Sequence, residues 1–167
     1  MTNPGELFLK SAMKEFQDYK KMGDKTFAQL NEADFHYQPN EECNSIAVII
    51  QHLHGNMLSR WTNFLTEDGE KEWRKRDEEF EVHNFSKEKL MQLWEEGWSL
   101  VFNTIESLTN EDTGKTVFIR NEPYSVTGAV NKQMAHYAYH IGQIVFIAKI
   151  IREKNWLTIS IPRNRPL

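Results

Sequence analysis

The chain reads as an all-α protein, a four-helix bundle with a long crossover loop and a small β-hairpin ahead of the last helix. Three observations carry this. Apolar residues recur at three- and four-residue steps in four separate stretches of bundle length. No alternation of strand and helix patterns argues for a parallel sheet. One long charged connection separates the second stretch from the third.

The first helix carries Leu7, Phe8, Ala12, Phe16, Tyr19 and Met22 on one face and runs toward Leu30. Pro4 stands just ahead, where a helix start tolerates it, and Gly23 is a weak point. Residues 31–44 form a connection with Pro39 and polar turn residues, and Asn44 or Ser45 offers an N-cap. The second helix places Ile46, Ile50, Leu53, Met57, Trp61 and Phe64 on one face. A long loop spans 66–85; loops of this length in compact domains are often functional or mobile.

Ser86 caps a third helix bearing Leu90, Leu93, Trp94, Trp98, Val101, Phe102, Ile105 and Leu108. Lys89 stands where a capping box would place Glu, so half of that signal is present. Thr116 to Arg120 is β-branched and short, and Asn121-Glu122-Pro123 with Tyr124-Ser125-Val126 completes a hairpin or extended excursion. Ser125 or Thr127 caps the fourth helix, which runs from about Val126 to Lys154 with Val130, Met134, Tyr137, Ile141, Val145, Ala148 and Ile151 on its apolar side. The tail from Pro162 to Pro166 is not a packed element. No repeat and no low-complexity tract divides the chain, so residues 1–167 read as one domain.

Composition narrows the function classes. The 167 residues are 40% hydrophobic and include ten Phe, five Trp and five Tyr, enough large rings for a core. The net charge is −4 and no Lys/Arg stripe stands out, which argues against a nucleic-acid partner. The basic run Lys71 to Asp77 is bracketed by acids and reads as a solvated loop. The single cysteine, Cys43, excludes an intramolecular disulfide and fits a reducing compartment. It precedes a helix start, where a thiol pKa can fall, but a small buried residue is the preferred reading. No leader pattern is seen, and the apolar stretch Ile141 to Ile151 is broken by Gln143 and Lys149, so no membrane span is expected and the chain reads as cytoplasmic.

His136-Tyr137-Ala138-Tyr139-His140 is the strongest chemical signal. Histidines four apart stack on one helix face and can reach one ion at about 2.0–2.1 Å. A third ligand would come from the second helix, where His52 and His54 point in different directions. Helix geometry leans toward His54, whose neighbours Ile50, Met57 and Trp61 are apolar, and both remain open. His36 and His83 fall in connections and read as surface residues. Trp94 and Trp98 read as core, and Glu95-Glu96 and Asp77-Glu78-Glu79 as solvated faces. There is no glycine-rich phosphate loop and no Gly-x-Ser-x-Gly turn.

Two segments carry a resemblance. Ser45-Ile46-Ala47-Val48-Ile49-Ile50-Gln51-His52-Leu53 is similar to the second-helix motif of the DinB/YfiT-like superfamily. His136-Tyr137-Ala138-Tyr139-His140-Ile141-Gly142-Gln143-Ile144 resembles its final-helix motif, His-x-x-x-His-x-Gly-Gln. Arg60-Trp61 and Asp68-Gly69-Glu70-Lys71 look like one uncharacterised branch. The resemblance implies a metal-binding four-helix bundle whose ligands are His52, His136 and His140, with His54 a wall residue or a group behind the ligands. It implies one divalent ion, with zinc or nickel expected, in an open site, because three imidazoles leave a coordination position free. Gly142 would allow close packing, Gln143 would bind substrate or orient a ligand or water, and Arg60 would bind an acidic group on the thiol or substrate, with a surface salt bridge as its equal alternative.

The superfamily includes enzymes that join low-molecular-weight thiols such as bacillithiol or mycothiol to electrophiles. A metal-dependent thiol S-transferase acting on a small-molecule thiol and an electrophile is therefore the leading expectation. A metal-dependent hydrolase and a non-catalytic stress protein that binds metal or a small ligand are the alternatives. By the same resemblance a homodimer is expected.

Overall fold

The computed structural model describes residues 3–162. Among them are five α-helices and one two-stranded sheet: α1 (Pro4–Phe27), α2 (Glu32–Phe35), α3 (Ile46–Trp61), α4 (Lys87–Ser107), β1 (Thr116–Ile119), β2 (Glu122–Ser125) and α5 (Val126–Arg152). The all-α reading with one hairpin holds. α1, α3, α4 and α5 form the bundle, with α3 packed chiefly on α4 and α1 on α5. The tail expected to be unpacked lies outside the described residues, apart from Pro162.

Each long helix begins on a side-chain cap. Asn3 accepts from the Gly5 N–H at 3.4 Å, Ser45 from Val48 at 3.3 Å, Ser86 from Lys89 at 3.2 Å and Ser125 from Gly128 at 3.0 Å. α1 runs unbroken through Gly23 because Trp94 packs there, and a Cβ would fall on its ring. The connection after α1 contains an unforeseen helical turn, α2. Asn31 and Asp34 exchange reciprocal capping bonds around it, and Phe35 is fully buried beneath α3. α5 ends at Arg152, and residues 153–155 tighten into a 3₁₀ turn.

The centre of the core is aromatic. Phe16, Trp61, Trp98 and Tyr137 are all but fully buried and meet at ring distances of 5.6–6.2 Å. Truncating one such ring costs about 3–5 kcal/mol. Cys43 is half-buried, more exposed than expected. No helix among the described residues is long and apolar enough to cross a membrane.

The hairpin pairs Thr116 with Ser125 and Ile119 with Glu122. Its two turn residues, Arg120 and Asn121, have φ of 57° and 61°, the left-handed pair that a two-residue hairpin turn needs. Asp68 holds them there, its carboxylate accepting the N–H groups of Arg120 at 2.9 Å and Asn121 at 2.8 Å. This ties the 66–85 loop to the hairpin. The loop departs from the solvated reading: the Lys71 and Arg74 side chains are only 5% and 2% exposed. Alternating charges make this burial affordable, because each buried cation has a carboxylate partner.

Candidate metal centre

Residues four apart share a helix face. On α3 that rule aligns His52, Asn56 and Arg60; on α5 it aligns His136 with His140, and Gln133 lies one turn before. These two stripes meet. His52 Nε2 stands 3.2 Å from His136 Nε2, and the ring centroids of His52, His136 and His140 are 4.8–5.3 Å apart. One ring nitrogen from each lies within 4.8 Å of the others, so the three could hold a metal ion.

The outer hydrogen bonds set which nitrogens face inward. His52 Nδ1–H donates to Glu79 Oε2 at 2.9 Å, and His140 Nδ1–H donates to Gln143 Oε1 at 2.8 Å. The Nε2 lone pairs of both rings are thereby left for the cluster. Burial, and then the neighbouring histidines, push His136 down to about 3 and His140 to about 4. Both rings are therefore neutral near pH 7, as a ligand must be.

The donor set fits a cation. Two nitrogens bound to one tetrahedral ion at about 2.0–2.1 Å sit roughly 3.3 Å apart, close to the His52–His136 separation. The alternative, an N–H···N bond between these rings, would strand the His136 Nδ1 lone pair. It would also leave His140 Nε2 as it is: buried, with no hydrogen-bond partner. Such orphans are costly. A cation between the rings takes up His140 Nε2 and leaves only His136 Nδ1 unpartnered. The set stops at three: among the described residues no cysteine or carboxylate joins this group.

His52 and His136 also line a cavity of about 470 Å³, bounded by α3, α5, the hairpin and residues 74–76. Five cations border it, Arg60, Arg74, Arg76, Arg120 and Lys132, against one carboxylate, Glu122. Arg60 and Arg120 are committed to Glu70, at 2.9 and 3.0 Å, and Arg60 also donates to the Gly69 carbonyl. Lys132 donates to the Tyr124 hydroxyl at 3.1 Å and lies over the same ring at 4.9 Å, and has no carboxylate within ion-pair distance among the described residues. Trp61 Nε1–H donates to the Tyr137 hydroxyl at 2.8 Å, which donates to Asn56 Oδ1 at 3.1 Å. With its oxygen engaged, Asn56 has its amide donors left for the cavity. Gln133 is buried there with an unpartnered Oε1.

The structure thus brings His52, His136 and His140 together and sets Arg60 in the cavity wall. His54 points the other way, to Glu96 Oε2 at 2.9 Å. Gln143 is exposed, does not line the cavity and stands behind His140. His36 departs from a bare surface position, bonding the Phe85 carbonyl at 2.9 Å, while His83 is exposed and stacks on Phe85. Glu79 reads as part of a solvated face in the sequence but belongs to the site. The Glu79 side chain is 9% exposed and accepts from Arg74 Nε at 2.7 Å and Nη2 at 2.8 Å. Burial raises its pKa, and the bonds from Arg74 and His52 more than offset this, leaving the carboxyl below its ordinary range. No local signal marks it. Asn56 was within reach, since it sits one turn beyond His52 toward Arg60.

A family model described as "Protein of unknown function (DUF1572)" matches residues 3–165. No curated protein matches the chain.

Proposed function

The chain belongs to the DUF1572 family, proteins of unknown function, and from its own residues we propose that it is a divalent-metal protein that activates an acidic low-molecular-weight thiol for transfer to an electrophile. In this reading His52, His136 and His140 are the ligands and the ion is zinc or nickel. The family is then a branch of the DinB-like superfamily. The observation that carries it is the buried, unpartnered His140 Nε2 beside a His52–His136 nitrogen pair 3.2 Å apart.

His52, His136 and His140 would hold the ion, which would lower the pKa of a thiol or water bound to it. The chain's own residues supply the rest. Lys132 binds an acidic group of the thiol, Arg60, held by Glu70 and the Gly69 carbonyl, adds positive potential from the wall, and the Asn56 amide donates to an oxygen near the histidines. A new sulfur–carbon bond forms as the leaving group departs with its bonding pair, and the thiol proton passes to water at the open mouth. Gln143 acts behind His140 rather than on substrate.

The test incubates zinc- or nickel-loaded protein with an aryl halide and a carboxylate-bearing thiol. Thiol-dependent loss of the halide is expected, and Lys132→Gln should raise KM for that thiol while sparing an uncharged one. Ester or amide cleavage without thiol would replace the transferase with a hydrolase. Inactivity in both assays would leave a metal- or ligand-binding protein.

A further inference from the structure

The geometry points to Glu79 as the positioning residue of the cluster, fixing the tautomer and orientation of His52 from a seat on α3 that Gly55 leaves open. We infer this on top of the metal reading, since the role has its purpose when His52 Nε2 serves as a ligand.

An arginine–carboxylate pair alone would satisfy Glu79, because Arg74 engages both of its oxygens. Oε2 nevertheless accepts a further bond from His52 Nδ1–H at 2.9 Å. A carboxylate accepts only, so a proton sits on Nδ1, and in the neutral ring the lone pair is then on Nε2. The carboxylate cannot drift either. Arg74 is held in turn by Glu70, and Glu70 by Arg60 and Arg120, so a run of alternating charges connects the hairpin turn to His52. The neighbouring residue on α3 fastens the same turn: Gln51 Nε2–H donates to the Glu81 carbonyl at 3.1 Å and the Glu79 carbonyl at 3.4 Å. Phe80 covers one face of the His52 ring at 4.7 Å.

Gly55 supplies independent evidence. It stands three residues after His52, and a Cβ there would overlap the Glu79 carboxylate. A free glutamate would swing aside at little cost. This one is pinned by three hydrogen bonds, so an alanine at 55 must break them. Partners of this kind behind a metal-binding histidine typically contribute 10–100-fold in metal affinity.

The experiment uses the full chain with Co²⁺ as the probe, followed by visible absorption. Glu79→Ala and Gly55→Ala should each raise the Co²⁺ Kd by roughly 10–100-fold. Long-range ¹H–¹⁵N NMR of the metal-free protein should find the His52 proton on Nδ1 in the wild type, and on both nitrogens in Glu79→Ala. A merely structural role would lower the melting temperature without moving the tautomer. Unchanged Kd and an unchanged Nδ1 proton in both variants would overturn the assignment. A wild type that binds no Co²⁺ overturns the metal reading instead, and the NMR arm then still decides whether Glu79 sets the tautomer.

Discussion

His52 and His54 lie two residues apart on α3 and have opposite surroundings. His52 faces α5 and the cluster; His54 faces α4 and pairs with Glu96 in the open. A helical-wheel argument favours His54, because it equates polar neighbours with solvent. That equation fails on α3, where Gln51, His52, Asn56, Ser59 and Arg60 are all buried, beneath the 66–85 loop or beside α5. Only the motif similarity singled out His52. His52→Ala should abolish metal binding. His54→Ala should preserve it and shift stability by less than about 1 kcal/mol, since its pair with Glu96 is exposed. Isothermal titration with zinc checks both, and loss of binding in His54→Ala alone would reverse the assignment.

At the scale of elements, apolar periodicity and caps made the four long helices legible, because burial of one face is a local pattern. The 66–85 loop was not legible beyond its length. Its charges look solvated in sequence, yet Lys71, Arg74 and Glu79 are buried through partners up to 27 residues away, which no local window reveals. A smaller junction follows α4. There Asp112 accepts the N–H and hydroxyl of Thr109, both at 2.8 Å, and pairs with Lys115 at 2.7 Å. The Lys115 bond and then those from Thr109 hold its carboxyl at about 2, below the ordinary 3.8. A carboxyl more acidic in the fold than in the unfolded chain stabilises the fold above pH 3.8, and that contribution disappears as pH falls through about 2. Denaturant melts of the wild type and Asp112→Asn should differ at neutral pH and converge across this window. A gap that does not narrow in acid would refute the linkage.

Across the whole molecule, core and candidate site share a wall. The Trp61–Tyr137–Asn56 chain of hydrogen bonds runs from the aromatic centre to the cavity, so core packing orients an amide beside the histidines. The cluster joins α3 to α5, helices distant in sequence, while Glu79 adds the loop. An ion bound there would hold these three parts together and stabilise the fold by mass action, about 2.7 kcal/mol at a hundredfold excess over Kd. The most direct measurement is elemental mass spectrometry of the tag-free protein and its His136→Ala variant. The account predicts close to one divalent ion per chain in the wild type and almost none in the variant. A wild-type protein that is metal-free, and that takes up neither zinc nor nickel when they are supplied, would contradict it.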